Sequence, residues 1–216
     1  MPLAETLTGA FAGLIALAVV AAMFVGTEYQ RGLISVTLAA APQRGRVLAA
    51  KAIVIGAVTF AAGLAGAAVA IPVGIRALHE HGAFVAPASV PTQVRVVAGT
   101  AALLAVTAVL ALALATVLRR GADAVTAVVA GIVLPYLLAV ATPLLPAAVS
   151  DWLLRVTPAA AFAVQGTLVQ YPQVSNAYLP FFGYYPLAPW AGFAVLCGYT
   201  ALALAVAAVL LRHRDA

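Results

Sequence analysis

Charge is what this sequence has least of. Asp, Glu, Lys and Arg make up 8% of its 216 residues, and lysine occurs once, at position 51. An ordinary soluble domain carries about 25% charged residues. So few charges could not cover the water-exposed surface of a soluble fold. The hydrophobic fraction of 65% and the mean hydropathy of +1.12 agree. The sequence therefore predicts an integral membrane protein.

Other absences narrow the function. Lys51 lies between Ala50 and Ala52, whereas a phosphate-binding P-loop needs glycine before its lysine and serine or threonine after it. Acidic residues are missing from the long apolar runs, and the histidines occur only at positions 79, 81 and 213. Intramembrane proteases and proton-driven transporters place such groups inside the membrane. We therefore expect no enzyme, and no cofactor or metal bound by this chain.

Two smaller features have ordinary interpretations. The single cysteine, Cys197, allows no intramolecular disulfide and is expected to serve packing. The sequence "HEHG" at 79–82 contains two possible metal ligands, but it lacks the i, i+4 spacing of a helical zinc site. It is predicted to be a solvated turn.

The uncharged runs set the architecture. A helix needs about 20 apolar residues to cross ~30 Å of hydrocarbon, because its backbone polar groups must be satisfied within it. We predict an all-α membrane protein with a single transmembrane domain, 1–216. The first nine residues contain no Lys or Arg, so the first run is expected to be a retained helix and not a cleaved signal peptide. The predicted spans are 7–26, 52–75, 96–118, 124–143 and 190–211.

Lysine and arginine predict the orientation. Eight of the eleven basic residues follow the first, third and fifth spans, and only Arg76, Arg95 and Arg155 fall on the other side. The positive-inside rule then puts 27–51, 119–123 and the C-terminus in the cytoplasm, and the N-terminus outside. The pI near 9.8 is explained by anchoring at the inner leaflet, so a nucleic-acid partner is not expected.

The segment 27–51 is the most charged part of the chain. Glu28 and Arg31 are three residues apart and can pair on a helix face. Apolar residues then recur at helical spacing up to Ala41, and Pro42 ends the run. The pattern predicts a short amphipathic helix, a turn, and a basic start to the second span. From the residues alone, a passive loop and a docking element are equally good interpretations.

The order of residues in this segment resembles the first cytoplasmic segment of the permease subunits of type-2 ABC exporters. That family shows an acid with an aromatic or basic residue, a Gly-Leu-like stretch, a Pro-x-Arg-x-Arg turn, and a lysine opening the next helix. The matching residues here are Glu28, Tyr29, Gly32, Leu33, Pro42, Arg44, Arg46 and Lys51.

The resemblance implies a mechanism and partners. In that family the segment is a coupling helix seated in a separate ATPase subunit, which binds ATP and magnesium, and two permease subunits pair. Glu28 and Arg31 would hold the elbow against the first span, while Arg44 and Arg46 would face the ATPase or lipid phosphates. Such permeases usually have six spans, with the matching segment after the second. The chain therefore resembles a permease without its first helix.

The segment 144–189, predicted to be external, contains many prolines and aromatic residues. The family resemblance implies a re-entrant helix pair there, within about 156–180, that helps to form an outer gate. An interfacial belt of aromatic residues explains the same composition. Two other functions remain open for the whole chain: a non-transporting immunity or assembly factor, and a small secondary transporter or channel.

Overall fold

The computed structural model describes residues 10–30, 44–82, 89–140, 145–168, 180 and 183–213. This part of the chain is helical and contains no strand, which confirms the all-α prediction. Its elements, in order, are α1 (Ala10–Gln30), α2 (Arg44–Glu80), α3 (Val90–Leu118), α4 (Gly121–Val140), α5 (Ala147–Val156), a 3₁₀ helix (Pro158–Gln165) and α6 (Pro189–His213).

Four of the helices are long and apolar enough to cross a membrane, which is compatible with a multi-pass membrane protein. Their apolar stretches are Gly45–Glu80, Val90–Leu118, Gly121–Val140 and Pro189–Leu211. The first predicted span, 7–26, is not among them. The described part of this span, from Ala10 onward, lies in α1, whose apolar stretch within the described residues, Ala10–Phe24, is shorter.

Helix α2 starts earlier than the second predicted span. It runs without interruption from Arg44 to Glu80, 37 residues in all, so the basic residues at 44–51 belong to the same helix as the apolar stretch. At 1.5 Å per residue it is about 55 Å long, well beyond the ~30 Å of a hydrocarbon core. Helix α2 therefore extends past the bilayer thickness.

Helix α4 contains an irregular turn. Five residues, Val129–Val133, form a π-helical turn between Gly121–Val128 and Leu134–Val140. Pro135 follows directly and has no N–H to donate to the preceding turn. Single π turns often appear where an α-helix adjusts locally. The proline thus coincides with a local change in helical pitch.

Helix α3 is the centre of the bundle. In its most apolar stretch 67% of the residues are buried, against 22% in α2 and in α6. Small residues let the neighbours approach: a Cβ added to Gly63 of α2 would lie 3.0 Å from the Cα of Ala101. Close approach through small residues is typical of helices that pack inside membranes. The core is therefore built around α3, with α2 on the periphery.

The two ends of the bundle differ in composition. At one end, Leu48 of α2 packs in a cluster of buried apolar residues with Ala22, Leu112, Ala124 and Leu211. We call this the basic end, because Arg46, Lys51, Arg119 and Arg120 belong to it. The opposite end carries Tyr184, Tyr185 and Trp190, and we call it the aromatic end. Three segments, 27–51, 119–123 and the C-terminus, are predicted to be cytoplasmic. The described residues in or beside them lie at the same end of the fold.

Candidate functional sites at the basic end and in a re-entrant hairpin

The predicted coupling residues fall partly outside the described structure. Arg31, Gly32, Leu33 and Pro42 lie outside the described residues. Glu28 and Tyr29 belong to the last turn of α1, and Arg44 is the first residue of α2. The side chains of these three are not described. Arg46 and Lys51 are described, both in the first two turns of α2.

Both ends of the segment 27–51 are held against the bundle. The Lys51 ammonium nitrogen lies 5.9 Å from the centre of the Phe24 ring, within the range of a cation–π contact. Close to it, a Cβ added to Gly26 of α1 would be 3.1 Å from the backbone nitrogen of Gly121. Phe24 and Lys51 therefore place the last turns of α1 beside the first turns of α2 at the basic end.

A tight turn between α3 and α4 adds to the basic surface. Arg119 takes a left-handed backbone conformation, with φ of 56°, and Arg120 is the residue before α4. Both side chains are exposed, as is Arg46. The acid of this turn, Asp123, lies in the first turn of α4. The described part of the basic end therefore presents an exposed, mainly positive surface.

The polypeptide before α6 turns back into the bundle. Helix α5 and the 3₁₀ helix form a hairpin, residues 147–165, which we call the re-entrant hairpin. At its turn, the Tyr199 hydroxyl donates a hydrogen bond of 3.1 Å to the carbonyl of Val156. Tyr199 lies ten residues into α6, about 15 Å along its axis. Pro158 also lines one cavity with Gly131 of α4, about 14 Å from the end of that helix. The turn therefore lies near half the height of these helices.

The second half of the hairpin, the 3₁₀ helix, is enclosed by protein. Residues 159–165 are all buried. A Cβ at Gly192 of α6 would overlap the Ala160 carbonyl, and one at Gly99 of α3 would overlap Val164. Phe162 packs on Phe11 and Tyr136, with ring centroids 4.8 and 4.6 Å away. Irregular backbone at membrane depth is tolerated only when protein shields it, and this packing supplies the shield.

Polar contacts fix the end of the hairpin. The Arg95 guanidinium donates a hydrogen bond of 2.6 Å to the Gly166 carbonyl, and the Gln165 amide donates one of 3.1 Å to the Thr100 hydroxyl. Tyr185 lies in the same region. Burial, together with the nearby Tyr136 hydroxyl, raises the pKa of Tyr185 well above 10.0. Its phenol is therefore neutral at physiological pH.

The hairpin carries two charged residues that the sequence analysis assigned to an external segment. Asp151 and Arg155 lie four residues apart in α5; Asp151 is half-buried and Arg155 is exposed. Arg155 directly precedes Val156 at the turn, so an exposed guanidinium lies near half the height of the bundle. Charged residues at such depth usually face a protein interior or a water-filled cavity. The i, i+4 spacing of the two charges in an amphipathic helix was the available signal.

The hairpin also changes the predicted bounds of the external segment. The sequence placed all of 144–189 outside, with a re-entrant pair within 156–180. In the structure the helix pair that turns into the bundle spans 147–165, because α5 forms its first half. The aromatic-rich part from 169 onward lies outside the described residues, apart from Pro180 and 183–189.

A threonine hydroxyl in a membrane helix commonly donates to a carbonyl of the same helix. Thr59 and Thr126 donate to the carbonyls four residues earlier, Ile55 and Ala122, at 2.6 and 3.1 Å. Thr107 departs from this pattern, because its hydroxyl is buried and has no hydrogen-bond partner in the described structure. The Ser150 hydroxyl of α5 is in the same condition.

The "HEHG" sequence forms the end of α2. His79 and Glu80 lie in its last turn, and a His81 ring nitrogen is 2.7 Å from the Ala77 carbonyl. Within the described ranges, no group of three or more His, Cys, Asp or Glu side chains is arranged to hold a metal ion. The geometry is that of a helix C-terminus closed by its own residues.

Comparisons with known proteins add no relative. No family model matches the chain, no curated protein matches it, and no solved structure matches it.

Proposed function

We propose that this chain is the permease subunit of an ATP-driven ABC exporter in the plasma membrane. The single observation that carries the proposal is the re-entrant hairpin. The motif in 28–51 resembles that of type-2 exporter permeases, and that family has a re-entrant helix pair directly before its last span. Here a hairpin whose 3₁₀ half is buried precedes α6. The motif and the hairpin are separate features of the chain, and both fit the same class.

The basic end supports the proposed coupling. In this proposal the segment 27–51 docks on a separate ATPase subunit, which binds ATP and magnesium. Glu28, Tyr29, Arg31, Gly32, Leu33, Pro42, Arg44, Arg46 and Lys51 form or support the docking surface. The ends of the segment are anchored by Lys51, Phe24 and Gly26, so a push on it would reach α1 and α2 together. The basic end is cytoplasmic under the positive-inside rule, and a second permease subunit completes the transporter.

A pull-down tests this proposal. The chain is tagged at its C-terminus, extracted from native membranes in mild detergent, and its partners are identified by mass spectrometry. We expect a stoichiometric ABC ATPase. Arg46→Glu and Arg44→Ala should reduce its recovery severalfold, because they remove positive charge from the docking surface. Arg76→Glu is the matched control, since Arg76 is exposed near the far end of the same helix.

Two results would contradict the proposal. One is recovery of the chain with no ATPase, which would favour the immunity or assembly factor. The other is equal loss of the ATPase in Arg46→Glu and Arg76→Glu, which would place docking elsewhere.

A secondary transporter or channel is the second candidate. Asp151 and Arg155 favour it, because charged groups near the middle of a bundle are typical of ion and substrate paths. Ion-driven uptake by the purified chain in liposomes, with no ATPase present, would support this candidate against the first.

A further inference from the structure

A cavity of about 440 Å³ opens at the aromatic end between the start of α3, the end of the hairpin and the start of α6. Its size is within the ~300–1,000 Å³ typical of ligand sites. The wall contains Arg95 and the hydroxyls of Thr92 and Thr167, together with apolar surface from Leu168 and Leu187.

The charge in the described wall of this cavity is positive only. Arg95 is the only charged residue among the described residues that line it, and no Asp or Glu is among them. Arg95 is half-buried, and its bond to the Gly166 carbonyl uses one of its five N–H donors on a neutral acceptor. The guanidinium charge therefore has no counter-charge in the described wall of the cavity.

Two helix starts add to the positive potential. Pro91 and Thr92, in the first turn of α3, line one side of the cavity, and Pro189, the first residue of α6, lines another. The N-terminal end of a helix carries a partial positive charge. Both helix starts therefore border the cavity and add to a potential of the same sign as Arg95.

The position along the membrane limits the ligand. Trp190 is exposed in the first turn of α6, and Tyr184 lies close by in sequence. Tryptophan and tyrosine concentrate at the level of lipid headgroups. A ligand held here would have its charged group at headgroup level and could lay apolar parts on Leu168 and Leu187.

We propose that this cavity binds a phosphate-type anion through Arg95, either as the headgroup of an anionic phospholipid or as a free anion. The guanidinium takes the phosphate oxygens with its remaining N–H groups, as arginine does in bidentate sites. Thr167 and Thr92, whose hydroxyl also hydrogen-bonds the Ser89 hydroxyl at 2.9 Å, complete the polar wall. This site does not depend on an ATPase partner, so it stands or fails separately from the proposed function.

The test uses the full chain, purified in non-ionic detergent. Thermal unfolding is followed while dioleoyl-phosphatidylglycerol, dioleoyl-phosphatidylcholine, or inorganic phosphate against chloride at matched ionic strength is added. Wild type is compared with Arg95→Gln and with Arg76→Gln, which removes an exposed arginine that does not line the cavity. We expect binding roughly ten- to hundredfold weaker in Arg95→Gln, as for a lost charge-assisted bond, and unchanged in Arg76→Gln.

A second pair of variants covers the case in which Arg95→Gln does not fold. Leu187→Glu places a carboxylate in the wall of the cavity that Arg95 lines, and Leu187→Gln places a neutral side chain of the same shape there. We expect binding to be lost in the first and kept in the second.

The outcomes distinguish the sources of the anion. Stabilisation by phosphatidylglycerol alone identifies a lipid headgroup, and stabilisation by inorganic phosphate as well identifies a free anion. No stabilisation by either, or equal stabilisation of all variants, overturns the proposal.

Discussion

The two ends of the bundle use arginine in opposite ways. At the basic end, Arg46, Arg119 and Arg120 are exposed and surround tightly packed small residues such as Ala22 and Ala124. At the aromatic end, Arg95 is half-buried, bonds a carbonyl of the hairpin and lines a cavity. The exposed arginines suit a partner protein or lipid phosphates at the surface, and the half-buried arginine suits a ligand inside the fold. The same residue type therefore indicates an outward surface at one end and an inward site at the other.

The hairpin accounts for the difference between the two ends, because it lies in the half of the bundle nearer the aromatic end. The largest expected effect comes from pushing it out. Gly192→Val would drive a side chain into the Ala160 carbonyl, so we expect the free energy of unfolding to fall by about 1–3 kcal/mol, or the fold to be lost. Thermal unfolding in detergent measures this.

The same substitution at Gly198 is the control for that comparison. Gly198 lies in the same helix, and a Cβ there would meet nothing within 4 Å. We expect Gly198→Val to be close to wild type. If both variants lost equal stability, the close packing of the hairpin on α6 would be refuted.

The next largest effect is expected in the labelling rate of a cysteine placed at Arg155. In a background with Cys197→Ala, cysteine is placed at Arg155 or at Leu202, an exposed residue of α6 at similar depth. If Arg155 faces water, Arg155→Cys should react about tenfold or more faster with a membrane-impermeant maleimide added from outside, because thiolate forms readily only in water.

Equal, slow labelling at both positions would place Arg155 against lipid or protein. Faster labelling from the cytoplasmic side would reverse the proposed orientation. The measurement thus tests the depth of the hairpin and the sidedness of the aromatic end in one experiment.

The smallest effect concerns the anchor of the basic end. Phe24→Ala and Lys51→Met each remove one partner of the cation–π contact, and a double-mutant cycle should return a coupling of about 0.5–1 kcal/mol. Met23→Ala, beside Phe24 and also exposed, should show no coupling with Lys51→Met. Zero coupling between Phe24 and Lys51 would leave only packing to join α1 and α2 here.

Much of the architecture follows from the spacing of charges in the sequence. The uncharged runs located four long helices, because the cost of burying charge in hydrocarbon enforces such spacing. The first uncharged run differs from the other four. Within the described residues, the apolar stretch of its helix, Ala10–Phe24, is shorter than theirs. The sequence analysis started the second span at residue 52 and took the basic residues at 44–51 as its entry, whereas they belong to the same continuous helix, α2.

The hairpin was harder to locate because hydropathy does not record depth. Asp151 and Arg155 are ordinary in an external loop, and only the Tyr199 bond and the packing around Gly192 show that α5 turns inward. Likewise, Arg95 reads as a flanking charge of a span until Gly166 is brought beside it across 71 residues of sequence. Long-range pairings of this kind leave no local pattern.

The length of α2 has a mechanical consequence. Helix α2 is about 55 Å long and contains Pro72 in its interior, and only 22% of the residues in its most apolar stretch are buried. Pro72 has no N–H to donate to the preceding turn, so the helix is weakened there. In the proposed coupling, a force applied near Arg46 would therefore pass along α2 as far as Pro72, where the helix can bend.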